Sequence, residues 1–199
     1  DFALMNAAGV IAVVPPVGLA GTLDLATWNI ENFPKLTDTP QRMADLITSL
    51  GLDLVAVEEI ADVAAFDEFV ARLPAHDGVL STHTYGDGTY QKVGFVYRWD
   101  LVQITNVTLL FANEGYVFPR PPLQVSVSVP GANPPLSFEL IGVHLKAGVQ
   151  TEDRARRTEA NLLLEPYVRS LVDTQGRTHV VVLGDFNEVV TTSEGRATM

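Results

Sequence analysis

The sequence predicts an α/β (α+β) fold, a four-layer sandwich of two mostly antiparallel β-sheets flanked by helices. The main observation is the order of its elements: strand, helix, strand, helix, several strands, helix, strand. The ends of the chain read as α/β and the middle as antiparallel. A single parallel sheet would not need four consecutive strands, whereas two packed sheets with helices outside accommodate them. Length agrees. The chain has 199 residues, 47% of them hydrophobic, which suffices for one sizeable core.

Residues 2–21, "FALMNAAGVIAVVPPVGLAG", are almost wholly apolar. They lack the basic start of a signal peptide, and Pro15-Pro16 would disrupt a spanning helix. The expectation is an N-terminal strand and linker over 1–21, left over from a larger precursor, with the main domain over 22–199 and no membrane span. "TLDLATWNI" (22–30) alternates as a strand should. In "TDTPQRMADLITSLG", Thr39 fits an N-cap, Pro40 the first helical position, and Gly51 the stop. Met43, Leu46, Ile47 and Leu50 make its apolar face. "LDLVAVEEI" is a short buried strand. A second helix starts near Asp62, with Val63, Phe66, Phe69, Val70 and Leu73 inward. "KVGFVYR", "LVQITNVTLLF", "PLQVSVSV" and "SFELIGVHL" read as strands, and residues 130–135 as a hairpin connection. Residues 151–174 form a helix with Glu152 and Asp153 in its first turn, where they suit the dipole, and Pro166 should kink or split it. "HVVVLGDFN" is the last strand.

Composition narrows the chemistry. Net charge is −11, which repels polyanions at long range. A nucleic-acid substrate needs a local basic patch or metal ions to offset that field. Arg154, Arg156 and Arg157 are candidates for such a patch, although a solvated helix face is the simpler explanation. There are no cysteines, so disulfides, thiolate zinc sites and thiol catalysis are excluded.

Polar residues gather where strands end. "WNIENF" carries Asn29, Glu31 and Asn32; "VEEI" carries Glu58 and Glu59; "VHLK" carries His144 and Lys146; "GDFN" carries Asp185 and Asn187. Each has an ordinary explanation as a turn former, a solvated end or a core histidine. Asp185 and Asn187 would share one side if the chain stays extended. If the four ends converge, they form a hard-oxygen cluster, which suits magnesium better than zinc. Arg120, between prolines, could bind a phosphate or serve as a rigid surface residue.

Taken together, "ATWNIENF", "LDLVAVEEI", "KVGFVYR", "PRPPLQV", "IGVHLKAG" and "VVLGDFN" resemble the endonuclease/exonuclease/phosphatase superfamily, the DNase I-like fold, in the family's order over residues 22–188. The wording of "WNIENF" and "HLKAG" looks most like a bacterial, often secreted, nuclease-like branch. The resemblance implies hydrolysis of phosphoric esters dependent on Mg²⁺ or Mn²⁺, with Ca²⁺ as a further candidate, and a secreted or periplasmic setting. It implies that Glu59 is the principal metal carboxylate, that Asn29 supports metal or phosphate, and that Arg120 contacts phosphate. His144 would bond the scissile phosphate or assist the leaving group. Asp185 would orient or activate the attacking water or bind a second metal, and Asn187 would bind a phosphate oxygen. The implied substrate is DNA, RNA or another phosphodiester, with phosphatase, sphingomyelinase or inositol-phosphatase activity as the alternative.

The family normally closes with a further strand or two and an Asp-His pair whose histidine is the general base. The histidines here, at 76, 83, 144 and 179, all precede that point and none follows an aspartate. The expectation is a sequence that stops short of the closing segment. A non-catalytic remnant of the fold is the rival reading. The joint presence of Asn29, Glu59, Arg120, His144, Asp185 and Asn187 weighs against it.

Overall fold

The computed structural model describes residues 2–5 and 11–188, with side chains from Pro15 onward. Its elements are β1 (Phe2–Met5), β2 (Ile11–Val14), β3 (Leu25–Phe33), α1 (Thr39–Leu50), β4 (Leu54–Ile60), α2 (Val63–Ala71), β5 (His76–Leu80), β6 (Lys92–Arg98), β7 (Gln103–Leu109), β8 (Leu123–Val129), β9 (Leu136–His144), α3 (Thr151–Asp173) and β10 (Val180–Asp185). The main sheets have the orders β3-β4-β6-β5 and β10-β9-β8-β7. Each holds one parallel pair, β3 with β4 and β9 with β10, joined through α1 and α3 respectively. The remaining pairs are antiparallel.

Strand parity builds the layers. In β4, Leu54 and Ala56 face the second sheet and share a core with Phe95 of β6 and with Val125, Val127 and Leu140 of that sheet. Val55 and Val57 face outward onto Met43, Ile47, Phe66 and Phe69 of α1 and α2. On the other side Ile141 and Val143 of β9 pack against Ala160, Leu164 and Leu171 of α3. The central strands are therefore buried on both faces, which explains their near-continuous apolar runs. Each such buried aliphatic or aromatic side chain contributes about 1.5–3 kcal/mol relative to exposure.

Several local expectations change. The helix α1 begins with Asp38 at its N-cap. Thr39 instead turns its hydroxyl back to accept from the Leu36 N–H at 2.9 Å. Gly51 ends the helix in the left-handed conformation, as its position predicts. Asp62 caps α2 by accepting from the Ala65 N–H. Pro166 neither splits nor ends α3, which runs unbroken for 23 residues. It lies on the exposed side, where water can satisfy the carbonyl of Leu162 that its missing N–H leaves free. The strand β5, "HDGVL", lacks an apolar signature but pairs along one edge of β6. The apolar N-terminal run holds two short strands, which satisfy each other's backbone groups as an antiparallel pair. Among the described residues, no helix is long and apolar enough to cross a membrane.

Gly184 makes the last strand possible. It stands opposite Val143 with φ of 141°, and a Cβ there would lie 1.9 Å from the Val143 carbonyl oxygen. The obstacle is backbone and cannot rotate away. Gly184→Ala should therefore lower stability by about 2–4 kcal/mol, read as an earlier urea midpoint at unchanged slope. An unchanged midpoint would show that β10 is not held against β9 in this way.

Candidate active site

The site grows out of strand parity. Inward positions continue from apolar to polar at one end of the inter-sheet core: Leu25, Thr27 and Asn29 on β3; Leu140, Gly142 and His144 on β9; Val181, Leu183 and Asp185 on β10. The first sheet supplies Asn29 and the second His144 and Asp185. The side-chain amide of Asn29 closes the gap between the sheets. Its Nδ2 donates to Glu59 Oε1 at 3.0 Å and to Asp185 Oδ2 at 2.9 Å. Its carbonyl oxygen accepts from the Glu31 N–H at 2.9 Å. His144 Nε2 lies 3.7 Å from Glu59 Oε1 and 3.8 Å from Asp185 Oδ2.

The adjacent acids of β4 have different environments. Glu58 is fully buried on the inward face and accepts from the Thr27 hydroxyl at 2.8 Å. Glu59 sits at a register shift with φ of 64°, a conformation uncommon for a residue with a Cβ. The bulge turns its carboxylate toward the site despite its place next to Glu58. Its Oε2 accepts from the Asn32 N–H at 3.0 Å and from Gln91 Nε2 at 3.3 Å.

The "GDFN" segment is a turn and also part of the cluster. The strand ends at Asp185, and Asn187 has φ of 51°, so the chain does not stay extended. Asp185 Oδ1 instead accepts from the Asn187 N–H at 2.8 Å, which leaves Oδ2 for Asn29. Asn187 Nδ2 donates to the Leu145 carbonyl at 3.1 Å, and Arg120 Nη2 donates to the same oxygen at 2.7 Å. Arg120 is itself buried, and its Nε has no partner. The structure thus brings all six expected residues, Asn29, Glu59, Arg120, His144, Asp185 and Asn187, to one end of the sandwich.

Other expectations fare differently. Lys146 turns away to pair with Asp153 at 2.8 Å. Of the three candidate arginines on α3, two are committed to other contacts. Arg157 is buried, bonded to Glu188 at 3.0 Å and to the carbonyls of Lys146 and Gly148 at 2.9 Å. Arg156 lies over the Tyr116 ring and donates to its carbonyl. Sequence reading missed Gln91 and Tyr85, which sit in a polar loop with no strand-end signal. A cleft of about 810 Å³ lies elsewhere, beside Asp53, Arg98 and Trp99. Its arginine is already paired with Asp53 and Asp100.

Electrostatics divides the cluster. Burial, then the Arg120 charge, holds the His144 imidazole down to about 4, against the pull of Asp185 and Glu59. His144 is thus a neutral imidazole near pH 7. Burial pushes the Glu58 carboxyl from 4.5 up to about 7, the Thr27 bond opposing and the Asp185 and Glu59 charges reinforcing. Its Oε2 lacks a partner, which costs less for a neutral carboxyl than for a charged one. Counting Glu58 as neutral, Glu59 and Asp185 outweigh Arg120 by one negative charge, and a phosphodiester would add another. A divalent cation balances that sum. Among the described residues, no group of three or more His, Cys, Asp or Glu forms a ready-made cage. Magnesium needs only one or two carboxylates, with water and phosphate oxygens completing its shell. Glu59 and Asp185 fit that donor set.

The raised carboxyl has a thermodynamic consequence. A folded value above the unfolded one means that protonation favours the fold. The contribution is full below about 4.5 and is lost as pH rises through about 7. In metal-free protein, Glu58→Gln should raise stability at pH 8 by roughly 1–3 kcal/mol relative to wild type, with little gain at pH 4. Thermal midpoints at the two pH values check this; a gain of equal size at both would assign the effect to something other than the charge.

The Endonuclease/Exonuclease/phosphatase family profile matches residues 26–198. No curated protein compared with the chain matches it. Among solved structures, the chain is similar to a mannosyl-6-phosphatase of Bacteroides thetaiotaomicron, with TM-score 0.65 and 14% identity over 89% of this chain and 70% of that one. It is similar to an endonuclease/exonuclease/phosphatase of Bacteroides vulgatus, with TM-score 0.64 and 19% identity over 86% and 68%. D. rerio TDP2 complexed with single-strand DNA product gives TM-score 0.60 and 14% identity over 86% and 62%. The chain thus spans about two thirds of the length of these structures. Likeness at such identities establishes the fold, and the match over residues 26–198 establishes membership: the chain belongs to the endonuclease/exonuclease/phosphatase family and has its hydrolase fold.

Proposed function

We propose that the protein is a divalent-metal-dependent phosphodiester hydrolase acting on nucleic acid, DNA or RNA. The observation that carries this reading is the convergence of Glu59 and Asp185 on the Asn29 amide, with His144, Asn187 and Arg120 around them. A bound Mg²⁺ or Mn²⁺, held by Glu59 and Asp185 with Asn29 in support, would neutralise charge on the phosphoryl oxygens and lower the pKa of an attacking water. The protein's own groups then have distinct tasks. Asp185 Oδ2 can accept a hydrogen bond from the attacking water and orient it. Neutral His144 can hydrogen-bond a phosphoryl oxygen without competing as a charge. The unpartnered Arg120 Nε and the second amide proton of Asn187 are donors for the oxygens where charge grows.

The DNA product named in the D. rerio TDP2 complex supports a nucleic-acid substrate. Three observations favour a second reading, a phosphatase acting on a small ester: the net charge is −11, Arg156 and Arg157 are engaged, and a mannosyl-6-phosphatase is among the structural neighbours. A secreted or periplasmic setting is part of the proposal and rests on the wording of "WNIENF" and "HLKAG".

A substrate panel of plasmid DNA, single-stranded DNA, bis(p-nitrophenyl) phosphate and p-nitrophenyl phosphate, with Mg²⁺ or with EDTA, separates the readings. Diester cleavage that EDTA abolishes is expected. Monoester cleavage alone would favour the phosphatase. Glu59→Ala should remove turnover, and Asn187→Ala should lower kcat by about 100- to 1000-fold through loss of one donor. Turnover indifferent to EDTA and to Glu59→Ala would overturn the assignment.

A further inference from the structure

Glu59 is held from its outer side by a loop of the first sheet that sequence patterns did not single out. Gln91, just ahead of β6, donates through Nε2 to Asn32 Oδ1 at 2.6 Å and to Glu59 Oε2 at 3.3 Å. Its Oε1 accepts from the Tyr85 hydroxyl at 3.2 Å, which fixes which end of the amide faces the carboxylate. Tyr85 in turn is well anchored. Its N–H donates to the Thr89 carbonyl at 2.7 Å, and its carbonyl accepts from the Gly88 N–H at 2.9 Å. Asp87 caps the turn through the Thr89 N–H and hydroxyl. The His83 ring packs edge-on against Tyr85, and Lys92 holds the His83 carbonyl at 2.8 Å. The Arg120 guanidinium, from the loop ahead of β8, lies within electrostatic reach of the Tyr85 phenol.

We infer that Tyr85 and Gln91 are positioning residues for Glu59, forming a hydrogen-bonded chain Tyr85–Gln91–Glu59 that sets the carboxylate's orientation toward a divalent cation. The inference rests on the proposed function above. Its physical content is asymmetry. Oε2 takes the Asn32 and Gln91 donors, while Oε1 faces Asn29 and His144. Anchoring one oxygen on the outer side leaves the other aimed inward and removes the rotational freedom of a side chain on a left-handed backbone position. Outer partners of metal ligands commonly govern affinity by about 10- to 100-fold.

The test measures Mn²⁺ binding by calorimetry and by the electron paramagnetic resonance signal of the bound ion, in the full chain. Two variants are compared with wild type. Gln91→Met keeps the length and removes both polar atoms; Tyr85→Phe removes only the phenol oxygen. Thermal midpoints report whether each remains folded. Expected results are Mn²⁺ affinity about 10-fold weaker in Gln91→Met, a smaller loss in Tyr85→Phe, and a double variant no weaker than Gln91→Met within about twofold, since the phenol acts through the amide. A purely structural role would lower the midpoints and leave the Mn²⁺ dissociation constant and spectrum unchanged, which would overturn the inference while the cation site stands. Should Gln91→Met not fold, unchanged affinity and spectrum in Tyr85→Phe alone would overturn it. Wild-type protein that binds no Mn²⁺ would overturn the cation reading itself, and this inference with it.

Discussion

Two carboxylates from different sheets meet on one amide, and the rest of the site follows from that meeting. Asn29 offers its Nδ2 to both Glu59 and Asp185, residues whose partners lie 30 and 156 positions away in sequence. Two unit charges a few ångströms apart near a protein surface repel by up to about 4 kcal/mol. Hydrogen bonds to charged groups return about 1.5–3 kcal/mol each. The amide therefore fixes the geometry of the pair without cancelling its charge. The residual negative potential is what makes a divalent cation the natural complement of this end of the molecule.

The layered core makes such an arrangement affordable in free energy. Glu58 is buried with one oxygen unpartnered, at a cost of a few kcal/mol in its charged form, comparable to one or two buried leucines. The double-sided packing of β4 and β9 supplies many times that amount. It also keeps strand ends in place. Leu145, directly after β9, donates to the Asp185 carbonyl and accepts from both Arg120 and Asn187, so the loop ahead of β8 and the turn after β10 are tied to one residue.

Basic residues in this acidic protein are largely committed to structure. Arg157 ties the loop after β9 to Glu188, Arg98 bridges Asp53 and Asp100, and Lys146 pairs with the first turn of α3. Arg120 stands apart, since it is buried beside the carboxylate cluster and retains an unused donor. Under the proposed function, recognition of an anion would be concentrated at the strand ends rather than spread over the surface, which agrees with a net charge of −11.

The sequence by itself determined the layers, because period-2 and period-3.6 patterns report burial directly. It also placed Asn29, His144 and Asp185 at strand ends, and the structure shows that each continues the inward register of its strand past the last apolar residue. Tertiary structure alone decided the rest. The fate of Pro166 depended on which side of α3 meets water. The α3 arginines looked like a solvated face, and only the loop after β9 and Glu188 turned Arg157 into a buried tie. The family resemblance singled out Glu59 over Glu58, but how it reaches the site depended on the bulge there, a backbone feature with no side-chain signature. Gln91 and Tyr85 lay in a loop without periodicity, so their link to Glu59 exists only once β6 lies beside β4. Local patterns encode which face of an element is dry. Contacts between elements distant in sequence decide which polar group meets which.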